Sequence, residues 1–138
     1  MSEPRQALLC RLCDGGCYLL CLVWLAERET GLRIDALEQY VEAMRRGWCR
    51  EDCYLEEPGR IFSAMAGWTW SVRKEGPEYT PADGEFEVVR YERPTPGRIW
   101  THFVVGDGAG GVAYDPLGGS RTVAEGQLVS KRILRRVA

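Results

Sequence analysis

The sequence carries little net charge: eighteen Lys and Arg against twenty Asp and Glu leave −2 at neutral pH. So small an imbalance offers no general attraction to nucleic acid or to an anionic membrane, and neither is expected as a partner. Long apolar runs are missing as well. The longest, Cys17 to Ala26, falls short of the about 20 residues needed to cross a bilayer. The opening Met-Ser-Glu-Pro-Arg lacks a basic segment followed by an apolar one, so no secretory signal is expected and a soluble, cytoplasmic protein is. No internal repeat, low-complexity stretch or linker divides the 138 residues, which suit a single domain, 1–138, with one core. Histidine is scarce too. His102 is the only one, so any imidazole chemistry falls to that position.

Residues 17 to 27, Cys-Tyr-Leu-Leu-Cys-Leu-Val-Trp-Leu-Ala-Glu, are apolar around most of the helical circumference and predict a buried helix. Asp14 and two glycines before it suit a turn that delivers Cys17 into the first helical turn. A second helix is expected from the capping-box-like Asp35-Ala-Leu-Glu38, with Leu37, Tyr40, Val41 and Met44 as its apolar stripe and Gly47 closing it. A third runs from Pro58 through Ala66 and stops at Gly67. From there the pattern turns to β: 68–72, 86–91, 99–105, 112–115 and 128–137, separated by Pro- and Gly-rich turns. Helices first and strands afterwards predict an α+β fold, with N-terminal helices packed on a C-terminal antiparallel β-sheet. The basic stretch Lys131-Arg-Ile-Leu-Arg-Arg136 reads as an edge strand with its charges in water. Residues 80–84, Thr-Pro-Ala-Asp-Gly, are the expected mobile loop.

The chemistry concentrates around His102 in Ile99-Trp-Thr-His-Phe-Val-Val-Gly106 and Asp115 in Val112-Ala-Tyr-Asp-Pro. Between them lies Gly106-Asp-Gly-Ala-Gly-Gly111, which lacks the lysine and following helix of a phosphate-binding loop and reads as a hairpin turn. A hairpin folded symmetrically about it sets His102 directly opposite Asp115, with Cβ atoms about 5 Å apart. The carboxylate can then orient the imidazole and support its charge. With Cys17 at a helix start, the chain holds the three parts of a nucleophilic cysteine triad. A thiol attacks as thiolate, and the ordinary thiol pKa of about 8.5 falls at a helix N-terminus or beside an imidazolium. The amide N–H of Cys17 is a candidate oxyanion donor. Each residue also has a plain structural reading: Cys17 in a stripe of core cysteines with Cys13 and Cys21, His102 as a core histidine, and Asp115 as a turn start.

The segments Asp14-Gly-Gly-Cys-Tyr-Leu-Leu-Cys-Leu, His102-Phe-Val-Val-Gly and Tyr114-Asp-Pro-Leu-Gly resemble the papain-like cysteine peptidase fold, and within it the small peptidases that trim leader peptides in bacteriocin exporters. The whole chain is also similar to an uncharacterised family of short spirochaete and phage-borne proteins. The papain-like resemblance implies Cys17 as nucleophile, His102 as general base and acid, and Asp115 as orienter. It implies a peptidase or amidase acting on a peptide or peptidoglycan-like substrate without a cofactor. One departure stands out. Where papain-like enzymes carry an oxyanion-hole glutamine, this chain has Arg11, and Gln6 is too far upstream to replace it. A non-catalytic binding or assembly module on the same fold is therefore the alternative.

The remaining cysteines leave further readings open. Cys10-x-x-Cys13 with Cys49-x-x-x-Cys53 can make a four-thiolate zinc site, whereas thiols in a reducing compartment need no metal. Cys10 and Cys13 can also exchange disulfides with Cys17. Trp48, Trp68, Trp70 and Trp100 are expected as packing residues, and Trp100 shares strand parity with His102 and can shield it or line a substrate groove.

Overall fold

The structure, a computed structural model, describes residues 16–138. Helix α1 (Gly16–Thr30) buries nearly all of its first three turns, as its unbroken apolar composition requires. Helix α2 (Ala36–Arg45) begins where the Asp35 carboxylate accepts the N–H groups of Leu37 and Glu38. It ends in a Schellman turn: Trp48 N–H donates to Ala43 O, Gly47 N–H donates to Met44 O, and Gly47 takes the positive φ that a side chain would resist. Its buried residues are Ala36 and Ala43, with Leu37, Tyr40 and Met44 partly covered and Val41 exposed. Val41 thus leaves the expected stripe, because small alanines set the line of closest approach. Helix α3 (Pro58–Ala66) starts at its proline and stops at Gly67, as expected.

Strands β1 (Trp70–Glu75), β2 (Glu85–Thr95), β3 (Arg98–Gly106), β4 (Val112–Tyr114) and β5 (Gln127–Arg136) form one antiparallel sheet in the order β1-β5-β2-β3-β4. The α+β architecture is the expected one. The place of β5 is not: the basic strand lies inside the sheet, hydrogen-bonded to β1 on one side and β2 on the other. Ile133 and Leu134 are fully buried there, and Lys131 is buried with its ammonium on Glu87. The strand is covered from Leu128 to Leu134, and of its four basic residues only Arg135 and Arg136 are exposed.

Trp68 falls outside β1, in a left-handed turn that leaves its ring exposed under Arg136. Trp70 is the core tryptophan, edge-on to Phe62 and stacked on Phe86, with its indole N–H donating to Gly67 O at 2.8 Å. A short helix, α4 (Arg121–Glu125), was not legible in the sequence; its five residues are too few to show a helical period, and Ser120 caps it through the N–H of Thr122. The segment 76–84 is tied down, with Lys131 donating to Tyr79 O and the Glu85 carboxylate accepting from Tyr79 and from the amide of Ala82. One continuous core joins α1, α2 and α3 to the sheet. Among the described residues no helix is long and apolar enough to cross a membrane.

Candidate functional site

Two aromatic stacks fix α1 against the sheet. Tyr18 lies on Phe103 of β3 with ring centroids 4.6 Å apart, and Trp24 lies on Tyr114 of β4 at 5.1 Å. Tyr18 follows Cys17 and Phe103 follows His102, and the side chains of Cys17 and His102 are hydrogen-bonded. On the other side of the ring, Nε2–H donates to Asp115 Oδ1 at 2.7 Å. With Nε2 engaged by the carboxylate, Nδ1 is the ring nitrogen left for the thiol. Cys17, His102 and Asp115 are thus brought together in the expected order.

The route to that contact differs from the expected one. β3 and β4 pair Val105 with Tyr114 and Gly106 with Val112, with a register shift between the two pairs. Carried one step on, the register sets Asp115 against Val104, so Asp115 reaches His102 as a diagonal neighbour and from one residue beyond the end of β4. A turn that begins at Asp115 aims it. Oδ1 also accepts the N–H of Leu117 at 2.8 Å, and Oδ2 accepts the N–H of Ser120 at 3.1 Å. The Asp-Pro turn reading and the triad reading of Asp115 are therefore the same structure. The two amide donors, Leu117 and Ser120, went unnoticed in the sequence; the Asp-Pro-Leu-Gly turn was the available signal.

The electrostatics follow from these bonds. Burial alone lowers the pKa of His102, but its hydrogen bonds with Asp115 and Cys17 outweigh that and push it up to about 9. For Asp115 burial acts upward, and the His102 bond together with the amides of Leu117 and Ser120 holds the carboxyl below its ordinary range. At neutral pH the imidazolium is the favoured form of His102, held by the Asp115 carboxylate. Such a set can carry nucleophilic acyl transfer: a sulfur nucleophile, a proton carrier beside it and an orienting anion. Cys17 also lies in the first turn of α1, where the positive end of the helix dipole is felt.

The other candidates fall elsewhere. Cys53 is disulfide-bonded, not the free or metal-bound thiol of either reading, and Cys49 is a thiol that donates to the Arg50 carbonyl at 3.4 Å, so this pair does not supply two thiolates to the alternative zinc site. Among the described residues no group of three or more His, Cys, Asp or Glu is placed to hold a metal ion. Gln6, Cys10, Arg11, Cys13 and Asp14 lie outside the described residues. Trp100 sits near the β2–β3 turn, its indole N–H donating to Thr95 and the Arg98 guanidinium 3.7 Å above its ring, so its partners belong to that turn and not to His102. Gly106-Asp-Gly-Ala-Gly-Gly111 is the expected hairpin turn, closed by the Asp107 carboxylate on the amides of Ala109 and Gly111.

A family model described as "Protein of unknown function, DUF261" matches residues 1–136. No curated protein and no solved structure matches the chain. None of these comparisons shows a likeness to papain-like peptidases.

Proposed function

The chain belongs to that family of proteins of unknown function, whose description carries no reaction, and from the geometry of Cys17, His102 and Asp115 we propose that it is a cysteine hydrolase of the papain-like kind, a peptidase or amidase acting on a peptide or peptidoglycan-like substrate. The observation that carries the reading is His102 held between two partners, Cys17 and Asp115. Cys17 sulfur attacks the carbonyl carbon, a C–S bond forms, and the carbonyl electron pair moves to oxygen near the positive end of α1. Collapse of that intermediate breaks the C–N bond as the imidazolium of His102 gives its proton to the leaving amine. Water then donates a proton to His102 while its oxygen bonds to the acyl carbon. The C–S bond breaks, and the Cys17 thiolate and His102 imidazolium are restored. Asp115 keeps the ring oriented throughout.

A second reading, a binding or assembly module without turnover, is favoured by the burial of the pair: Cys17 is 6% exposed and His102 4%. Alkylation separates the two. Iodoacetamide at about pH 6, followed by peptide mapping, is expected to modify Cys17 ahead of Cys49, and His102→Ala is expected to slow that reaction by about tenfold or more. A Cys17 that is inert, or that reacts equally in both proteins, overturns the hydrolase reading in favour of the module.

A further inference from the structure

Beside the stacked pair Tyr18 and Phe103 lies a cavity of about 690 Å³, within the range of small-ligand and side-chain pockets. Tyr18, which lines it, is 7% exposed, yet its phenol oxygen has no hydrogen-bond partner among the described residues. A buried hydroxyl left without a partner is costly, so one in a native core calls for an explanation. Arg132, on β5 in the same wall, is half-buried. Its Nη1 donates to Ser130 Oγ at 3.0 Å, its guanidinium stands 5.6 Å from the Phe103 ring centroid, and no carboxylate among the described residues pairs with it. The charge of Arg132 is close enough to act on the Tyr18 phenol.

Of the other charges in the wall, three are paired, while Lys74 has no ion-pair partner among the described residues and Asp52 meets only a backbone amide. Arg90 is held by Glu92 at 2.6 Å, Arg73 by Glu75 and Glu85, and Glu56 by Arg50. Asp52 accepts the amide of Tyr54. What stays unanswered, besides the Lys74 ammonium, is one guanidinium and one phenol donor in the same lining. That pair matches a singly charged, planar acceptor, since a guanidinium forks onto a carboxylate and a phenol O–H can serve its second oxygen.

We propose that this cavity is a carboxylate subsite, receiving an acidic side chain or the free C-terminus of the peptide on which Cys17 acts. Cys17, His102 and Asp115 do not line the cavity; its link to them is through the chain, Tyr18 following Cys17 in α1 and Phe103 following His102 in β3. Naming the occupant as substrate rests on the hydrolase reading; binding of the carboxylate does not.

The full chain carrying Cys17→Ala, which turns nothing over, is titrated calorimetrically with three probes: acetyl-Ala-Glu-Ala-amide, its Gln counterpart, and acetyl-Ala-Ala with a free carboxylate. The Glu peptide, the free carboxylate or both are expected to bind at least about tenfold tighter than the Gln peptide, and which of them does so identifies the acid. Adding Tyr18→Phe or Arg132→Gln is expected to remove most of that preference. Tyr18→Phe keeps the ring and is expected to unfold at or above the parent's midpoint, because the lost hydroxyl has no partner to lose. Equal binding of acidic and neutral probes, binding of none at millimolar concentration, or a preference that survives both substitutions overturns the subsite. Acid-selective binding with an alkylation-inert Cys17 sustains the subsite and overturns only the hydrolase reading.

Discussion

Asp115 gives His102 what burial takes away. The folded pKa of His102, about 9, lies above its ordinary 6.5, so the stability from this shift is present in full below 6.5 and is lost as pH rises through about 9. Asp115 runs the other way: its folded pKa lies below 3.8, so its contribution is present above 3.8 and is lost as pH falls through the lowered value. The pair therefore stabilises most between 3.8 and 6.5. Asp115→Asn is expected to cost more in urea unfolding at about pH 6 than at about pH 10. Any turnover that depends on Cys17 should lose its alkaline limb near the pKa of about 9, and Asp115→Asn should move that limb to lower pH. Equal unfolding costs at both pH values, or an unmoved limb, would show that the imidazolium draws nothing from Asp115. All three residues were legible in the sequence as types in order. The contacts to Leu117, Ser120 and the diagonal register were not, since a one-residue irregularity in a hairpin leaves no mark in composition.

The hairpin that carries His102 is pinned from below by a buried ion pair. Glu87 of β2 accepts from Lys131 of β5 at 2.8 Å through Oε1 and from the amide of Gly108 at 3.0 Å through Oε2. A Cβ at Gly106 would overlap that carboxylate, and because two donors hold the carboxylate it cannot swing aside cheaply. Glycine at 106 is thus a packing requirement. Glu87→Gln leaves Lys131 buried without its counter-charge and is expected to cost about 3–5 kcal/mol in urea unfolding. Replacing both, Glu87→Leu with Lys131→Met, should recover much of that loss. A double variant no more stable than the single one would contradict the assignment of the penalty to an orphaned charge. Elements whose ends are written in local chemistry were readable in advance: Asp35 caps α2, Pro58 opens α3, and Gly47 and Gly67 close the two. Lys131 was misread as an edge residue because its partner lies 44 positions away.

Across the whole molecule the last strand is the keystone of the sheet. Leu134, fully buried, pairs with Val72 of β1 and Phe86 of β2, joining distant parts of the chain. Leu134→Ala is expected to cost about 2–5 kcal/mol, whereas Val112→Ala on the short edge strand β4, where Val112 is exposed, should stay within about 0.5 kcal/mol. Comparable costs at the two positions would contradict a β5-centred sheet. The same centrality places Arg132 beneath Phe103, where both line the cavity with Tyr18.

The α+β class, the first three helices, the five strands and the chain order of Cys17, His102 and Asp115 followed from the sequence itself, because hydrophobic period, helix caps and turn residues act over a few positions. Strand order, the inward place of β5, the shifted hairpin register and the meeting of Tyr18 with Arg132 were decided only by the tertiary structure. Those depend on pairings between residues far apart in the chain, where the energy of closing the loop and filling the core, not local propensity, selects among arrangements that a linear pattern leaves equal.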